Sequence, residues 1–254
     1  MFFRYGRLFG LAAAMMLVNL ACRQSDGQII SPALTQIQEL KLNIDNPAGI
    51  TYTIDYTGFW IVDGGNSKIV RTDLEGNVIE VLPYTGNRIT SISLERSSGT
   101  LWITEKKKRE LVNLSLSGEV KKRLHIAGGK GGNKIPGGIF CGEGSTLYVL
   151  NEAAPPSMIK MNSDGNIEQQ YNFYFTPDAS EIYFDNTKGN YYLLSYQSEM
   201  IYRWNPLKAE LQRIHLPGKN YSGMTFNPEQ NSFAVVNSRQ QTLEIFSNGI
   251  VINN

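Results

Sequence analysis

Residues 49–76, GITYTIDYTGFWIVDGGNSKIVRTDLEG, decide the fold, because the pattern they carry returns four more times before the C-terminus. Ile50, Ile92, Ile139, Ile182 and Met224 are separated by 42, 47, 43 and 42 residues. The same offsets carry Tyr52 onto Leu94, Cys141, Phe184 and Phe226, and Ile61 onto Ile103, Leu150, Leu193 and Val235. They also carry Ile69 onto Leu111, Met158, Ile201 and Leu243. Four apolar columns obey one register.

Each unit holds three short β-rich runs, in the first case 49–54, 59–62 and 68–72, then a turn at Glu75-Gly76 and a fourth run, 78–82. Four strands in about 42 residues match the ~40–45-residue period of a propeller blade. The second run is apolar on both faces, as in Trp60-Ile61-Val62, Leu101-Trp102-Ile103 and Tyr148-Val149-Leu150. A strand with one wet face alternates, so these strands are covered on both sides, as in blades stacked around an axis. No segment after residue 30 keeps a 3.6-residue apolar period, which excludes a βαβ fold, and a sandwich does not explain a register held through five units.

The chain of 254 residues is therefore one repeat array, an all-β β-propeller occupying residues 39–254. Residues 39–45, ELKLNID, resemble a fourth run that precedes the first blade. Ring closure is its expected use, beside the last blade or together with residues 249–253, since an open ring leaves sheet edges exposed. Five blades are expected, and six if the two termini make one more.

Residues 1–21 contain Arg4 and Arg7, an apolar run from Leu8 to Leu20 and no acid. The run falls short of the ~20 residues of a spanning helix and reads as a secretory signal. Cys22 follows Leu20-Ala21 and precedes a polar stretch, as at a bacterial lipoprotein cleavage site, although Asn19 stands where an aliphatic residue is usual. Cys22 is the expected lipid attachment, residues 22–38 the lipidated Cys and polar tether, and the bacterial envelope the expected location, with the membrane as partner through two or more acyl chains. Simple secretion and an uncleaved anchor are the alternatives. Cys141 sits in an apolar column and reads as a small buried hydrophobe, with no disulfide to Cys22 expected.

Without Arg4 and Arg7, the 24 basic residues become 22 against 23 acidic ones, a balance of −1 that argues against nucleic acid as partner. Lys106 to Arg109 and Lys121 to Arg123, with Lys130 and Lys134 beyond, read as a solvated hairpin and a charged edge strand, with an anionic surface as the alternative. Residues 127–138, AGGKGGNKIPGG, account for the longer offset and lack the Gly-Lys-Ser/Thr of a phosphate loop. They read as a flexible connection or a lid.

In a propeller, the loop after the second strand and the loop before the first open onto one face. The first of these columns holds Asp63, Glu105, Glu152, Ser195 and Asn237, the second Gly49, Ser91, Gly138, Glu181 and Gly223. Asp63, Glu105, Glu152, Glu181 and Asn237 are thus the candidate ligand or metal face, with calcium the cation such oxygens suit. Polar residues at strand ends are also what any blade needs. His125 and His215, the only histidines, fall in outer fourth strands, so neither a Ser-His-Asp triad nor a zinc site is credible. No catalytic residue is assigned.

The segments 147–161 (LYVLNEAAPPSMIKM), 178–204 (DASEIYFDNTKGNYYLLSYQSEMIYRW) and 222–236 (SGMTFNPEQNSFAVV) resemble the SdiA-regulated family, which is similar to NHL-repeat propellers and more distantly to gluconolactonase-type propellers. The resemblance spans about residues 43–246 and implies an extracytoplasmic propeller of bacteria. The more distant likeness implies lactone hydrolysis with a calcium held at the axis, but fold likeness alone does not license that activity. Three readings follow: a monomeric, lipid-anchored binding module for an envelope protein or a small molecule; a metal-dependent hydrolase or lactonase on the acidic rim; and a structural envelope component.

Overall fold

The structure, a computed structural model, describes residues 34–126 and 135–249. Their strands are β1 (Leu34–Lys41), then β2 (Pro47–Tyr52), β3 (Gly58–Asp63), β4 (Lys68–Asp73) and β5 (Val78–Val81) in blade 1. Blade 2 holds β6 (Ile89–Glu95), β7 (Thr100–Glu105), β8 (Glu110–Leu114) and β9 (Val120–His125), and blade 3 holds β10 (Pro136–Cys141), β11 (Leu147–Asn151), β12 (Ser157–Met161) and β13 (Ile167–Asn172). Blade 4 holds β14 (Glu181–Asp185), β15 (Asn190–Ser195), β16 (Met200–Asn205) and β17 (Glu210–His215); β18 (Tyr221–Asn227), β19 (Ser232–Asn237) and β20 (Thr242–Asn248) follow. Five antiparallel four-stranded sheets result, the fifth ordered β1-β20-β19-β18.

The inner strands β2, β6, β10, β14 and β18 touch in that cyclic order, and β18 returns to β2, so the ring has five blades. It closes as a clasp: β1 adds to β20 as the outer strand of the last blade, pairing Leu34 with Asn248 and Lys41 with Thr242. That strand starts earlier than residue 39, so 34–38 belong to the propeller rather than to the tether. Leu42 and Ile44, expected within it, instead form a buried connection into blade 1. Residues 250–253 of the expected C-terminal strand lie outside the described residues.

Every second strand is apolar because both its faces meet a neighbouring blade. Ile61, Ile103, Leu150, Leu193 and Val235 are fully buried, each such side chain contributing about 1.5–3 kcal/mol of burial free energy. Five hydrophobic clusters form, one between each pair of adjacent blades. The outer strands are exposed, and their charges are largely paired: Lys121 with Glu119, Lys122 with Asp164 and Arg123 with Glu110. His125 and His215 are exposed on these strands, as expected.

Blade 3 departs from the simple repeat. Four blades join their first two strands through four-residue loops, whereas Gly142 pairs with Thr146 around a three-residue 3₁₀ turn, Glu143–Ser145. The loop between its second and third strands is one residue longer than elsewhere and contains the cis peptide Ala154-Pro155. The two changes cancel, so sequence offsets cannot see them. Ile139 consequently pairs with Val149, not with Leu150, and the strand ends at Asn151.

Candidate functional site

The corrected register changes the expected rim. The column after the second strand is Asp63, Glu105, Asn151, Ser195 and Asn237, with Glu152 one step out in the loop. Most of these side chains cap the following turn. Asp63 accepts from the amide of Asn66 at 2.9 Å, Ser195 from that of Ser198 at 3.1 Å and Asn237 from that of Gln240 at 3.0 Å. Asn151 accepts from the amides of Ile135 and Ala153 at 2.9 and 3.3 Å and donates to Ser157. Glu105 is buried beneath Tyr84, which donates to it, and faces Arg123 at 3.5 Å and Lys108 at 3.7 Å. Glu152 pairs with Lys106. Their lone pairs are thus spent on turn amides and cations, and among the described residues no three His, Cys, Asp or Glu side chains are arranged to hold a metal.

Glu181 is not on the rim at all. It is 1% exposed, in the column whose other members, Gly49, Ser91, Gly138 and Gly223, are small. Ser91 Oγ lies 2.8 Å from both of its carboxyl oxygens, joining blade 2 to blade 4, which are not neighbours, so the contact crosses the axis. The same Oγ accepts from the Ile139 amide of blade 3 at 3.0 Å. The glycines make room: a Cβ on Gly138 would stand 2.8 Å from Glu181 Oε1, and one on Gly49 2.5 Å from Ser91 Cα. Burial pushes the Glu181 carboxyl well above its ordinary 4.5, against the opposing pull of Ser91. A neutral acid also fits the geometry, since a protonated carboxyl can donate to the Ser91 hydroxyl through one oxygen and accept from it through the other. The axis is plugged here.

At the opposite end the axis is open. A cavity of about 540 Å³ is lined by the C-terminal ends of all five inner strands and by the loops that follow them. Its walls are aromatic: Tyr183 lies 4.8 Å from Phe140 and 5.4 Å from Phe226, and Tyr52 5.3 Å from Tyr56. Ser93, Thr51 and Thr225 contribute hydroxyls. Arg96 stacks over Tyr56 at 4.2 Å and donates to the Ile54 carbonyl at 2.9 Å. Burial pushes the Tyr52 hydroxyl up to about 12 and raises that of Tyr183 as well, so these rings are neutral walls. Cys141, at the floor, is a free thiol that burial pushes up to about 12, an inert hydrophobe as expected.

Among the described residues no histidine lines this funnel, and the one carboxylate in its lining is the exposed Glu143. The chemistry it offers is stacking, apolar contact and a few hydrogen bonds. Reasoning from carboxylate columns missed it because its residues come from the ends of first strands and from the loops joining first to second strands. The signal was the aromatic or large residue ending each first run, Tyr52, Leu94, Phe184 and Phe226, read only as core. The Gly-rich segment lies outside the described residues as far as residue 134, as do Cys22 and the signal.

No family model matches the chain. Among solved structures, the chain is similar to the nidogen/laminin complex, with 15% identity, a TM-score of 0.53, and 79% of this chain and 80% of that chain covered. It is also similar to a catalytically inactive virginiamycin B lyase from Staphylococcus aureus with quinupristin, with 16% identity, a TM-score of 0.51, and 79% of this chain covered. The chain spans 66% of that lyase's length. These likenesses show the propeller fold.

Proposed function

We propose that this propeller is a binding module of the bacterial envelope, of the SdiA-regulated kind, that takes a small apolar or aromatic ligand in its axial funnel. The observation that carries the reading is the asymmetry of the axis: one end is filled by Glu181, while the other keeps about 540 Å³ open between aromatic walls. Cavities of 300–1,000 Å³ with apolar walls and a few polar groups are the ordinary form of small-molecule sites. The described lining offers stacking faces, hydroxyls and one arginine, groups that suit binding.

Anchoring through a lipid on Cys22 belongs to the same proposal. The first described strand begins at Leu34, paired to Asn248 at the funnel end. Labelling with an alkynyl fatty acid, lost in Cys22→Ser, is the expected result for the anchor.

The function is tested by a fragment screen with ligand-observed NMR on the purified chain and on Ser97→Trp. Ser97 is exposed at the funnel mouth, so the bulky ring obstructs the opening without disturbing the core. Aromatic fragments that bind the parent and not the variant support the reading. Fragments that bind both equally place binding elsewhere and overturn it.

A further inference from the structure

The funnel has one charge that is already held in place. Arg96 sits at its mouth with the guanidinium stacked on Tyr56 at 4.2 Å and one nitrogen bonded to the Ile54 carbonyl at 2.9 Å. Its partners are an aromatic face and a neutral oxygen. Among the described residues no carboxylate lies within ion-pair distance of it, whereas Arg71, Arg123 and Lys106 each have one. A guanidinium carries five N–H donors in a rigid fork, and the carbonyl occupies one. The rest are left for an acceptor, and a carboxylate or sulfonate matches the fork with two parallel bonds.

The rotamer freedom that an arginine normally gives up on binding is here given up in advance. Such a side chain is worth about 0.5–1.5 kcal/mol of ordering cost, so prior fixing favours the complex by an amount of that order. Glu143, the other lining residue of formal charge, stands on the 3₁₀ turn of blade 3, is exposed, and makes no side-chain hydrogen bond among the described residues. Water serves it equally well with or without a ligand.

We propose, resting on the funnel reading above, that the ligand class is an organic anion: a flat aromatic or cyclic apolar body seated against the wall formed by Tyr183, Phe140 and Phe226, with its acidic group on Arg96. The body supplies area and the acid supplies orientation. Neither the rim acids nor a metal takes part.

Three probes with one body separate the possibilities: 2-naphthoate, 2-naphthamide and 2-naphthylmethylammonium, titrated calorimetrically into the purified chain and into Arg96→Gln. Arg96 is exposed, so its replacement removes one surface contact to blade 1 and leaves the buried clusters between the blades intact. The expected result is that naphthoate binds the parent about five- to tenfold more tightly than the amide, the range a partly solvated charged hydrogen bond gives. In Arg96→Gln the two should bind alike, with the amide unchanged. Equal binding of acid and amide to the parent, or tightest binding by the ammonium, overturns the anion class while leaving the funnel as a site. A preference for the acid that survives Arg96→Gln overturns the role of Arg96. No heat from any probe at millimolar concentration, with none in Ser97→Trp either, sinks the funnel reading itself.

Discussion

The same five inner strands make both ends of the axis, and the two ends differ only in the side chains they present. At the closed end stand Gly49, Ser91, Gly138 and Gly223 around one glutamic acid; at the open end stand Tyr52, Leu94, Cys141, Phe184 and Phe226, with Tyr183 and Phe140 beside them. Small residues let the strands touch, so a Cβ on Gly223 would lie 1.9 Å from the Ala48 carbonyl. Large ones hold their neighbours off and leave space in the middle. A ring of repeats therefore chooses which end to open by residue volume, and polarity follows: the carboxyl goes where it can be enclosed by hydroxyl and amide donors, the aromatics where a ligand can displace water.

The sharpest way to break this contrast is to add one methyl group at each end. Gly223→Ala meets backbone of the adjoining blade, which cannot move aside without separating blades 1 and 5, so a loss of about 3 kcal/mol is expected in urea denaturation. Gly99→Ala, in a hairpin at the open end, meets nothing within 4 Å and is opposed only by its φ of +67°. That strain is worth about 1 kcal/mol. Equal losses would mean that the closed end is not close-packed.

A smaller effect separates the ends by pH. The Glu181 carboxyl titrates well above 4.5 in the folded chain because it is buried, while in the unfolded chain it titrates near 4.5. As pH rises past 4.5 the unfolded state releases this proton and the folded state keeps it, so the contribution to stability falls until pH passes the raised folded value. Glu181→Gln keeps the shape, can donate to Ser91 and has no proton to release. Its melting midpoint is therefore expected to gain on the parent steadily as pH rises from about 4.5 towards neutrality. Parallel midpoints across that window would show that the buried carboxyl is ionised.

The blades were legible in the sequence because each interface repeats its demand: Ile50, Ile92, Ile139, Ile182 and Met224 occupy one buried position five times. Closure was legible too, since an unpaired strand before the first blade has no other sheet to join, though its limits were not, because Leu42 and Ile44 are as apolar as a strand's residues and serve a connection instead. The funnel was hidden by the same repetition. A column of large apolar residues reads as core whether it faces another blade or an empty axis. Tyr183 and Arg96 stand in columns of mixed character, Thr51, Ser93, Phe140, Tyr183 and Thr225 in one and Ile54, Arg96, Glu143, Asn186 and Pro228 in the other, that no search for one residue type picks out. Glu181 was visible as the odd member among small residues, yet only the crossing of the axis to Ser91 tells a plug from a rim acid.

Blade 3 offers the finest test, because its two cancelling length changes exchange the roles of neighbouring residues. If the strand ends at Asn151, that side chain accepts from the Ile135 and Ala153 amides and donates to Ser157, and Asn151→Ala leaves the two amides without their acceptor and Ser157 without its donor, a loss of about 1–2 kcal/mol. Glu152, its side chain 28% exposed and paired with Lys106, lies outside that network. A partly solvated pair of this kind is worth about 1 kcal/mol or less, so Glu152→Gln should move the urea midpoint less than Asn151→Ala does, and raising the salt concentration should shrink even that difference. The simple sequence offset requires the reverse order, with Glu152 in the capping position and Asn151 the dispensable neighbour. A larger loss for Glu152→Gln would restore that register and bring Glu152 back beside Asp63 and Glu105 on the rim; the expected order leaves the rim to its turns and the binding chemistry to the funnel.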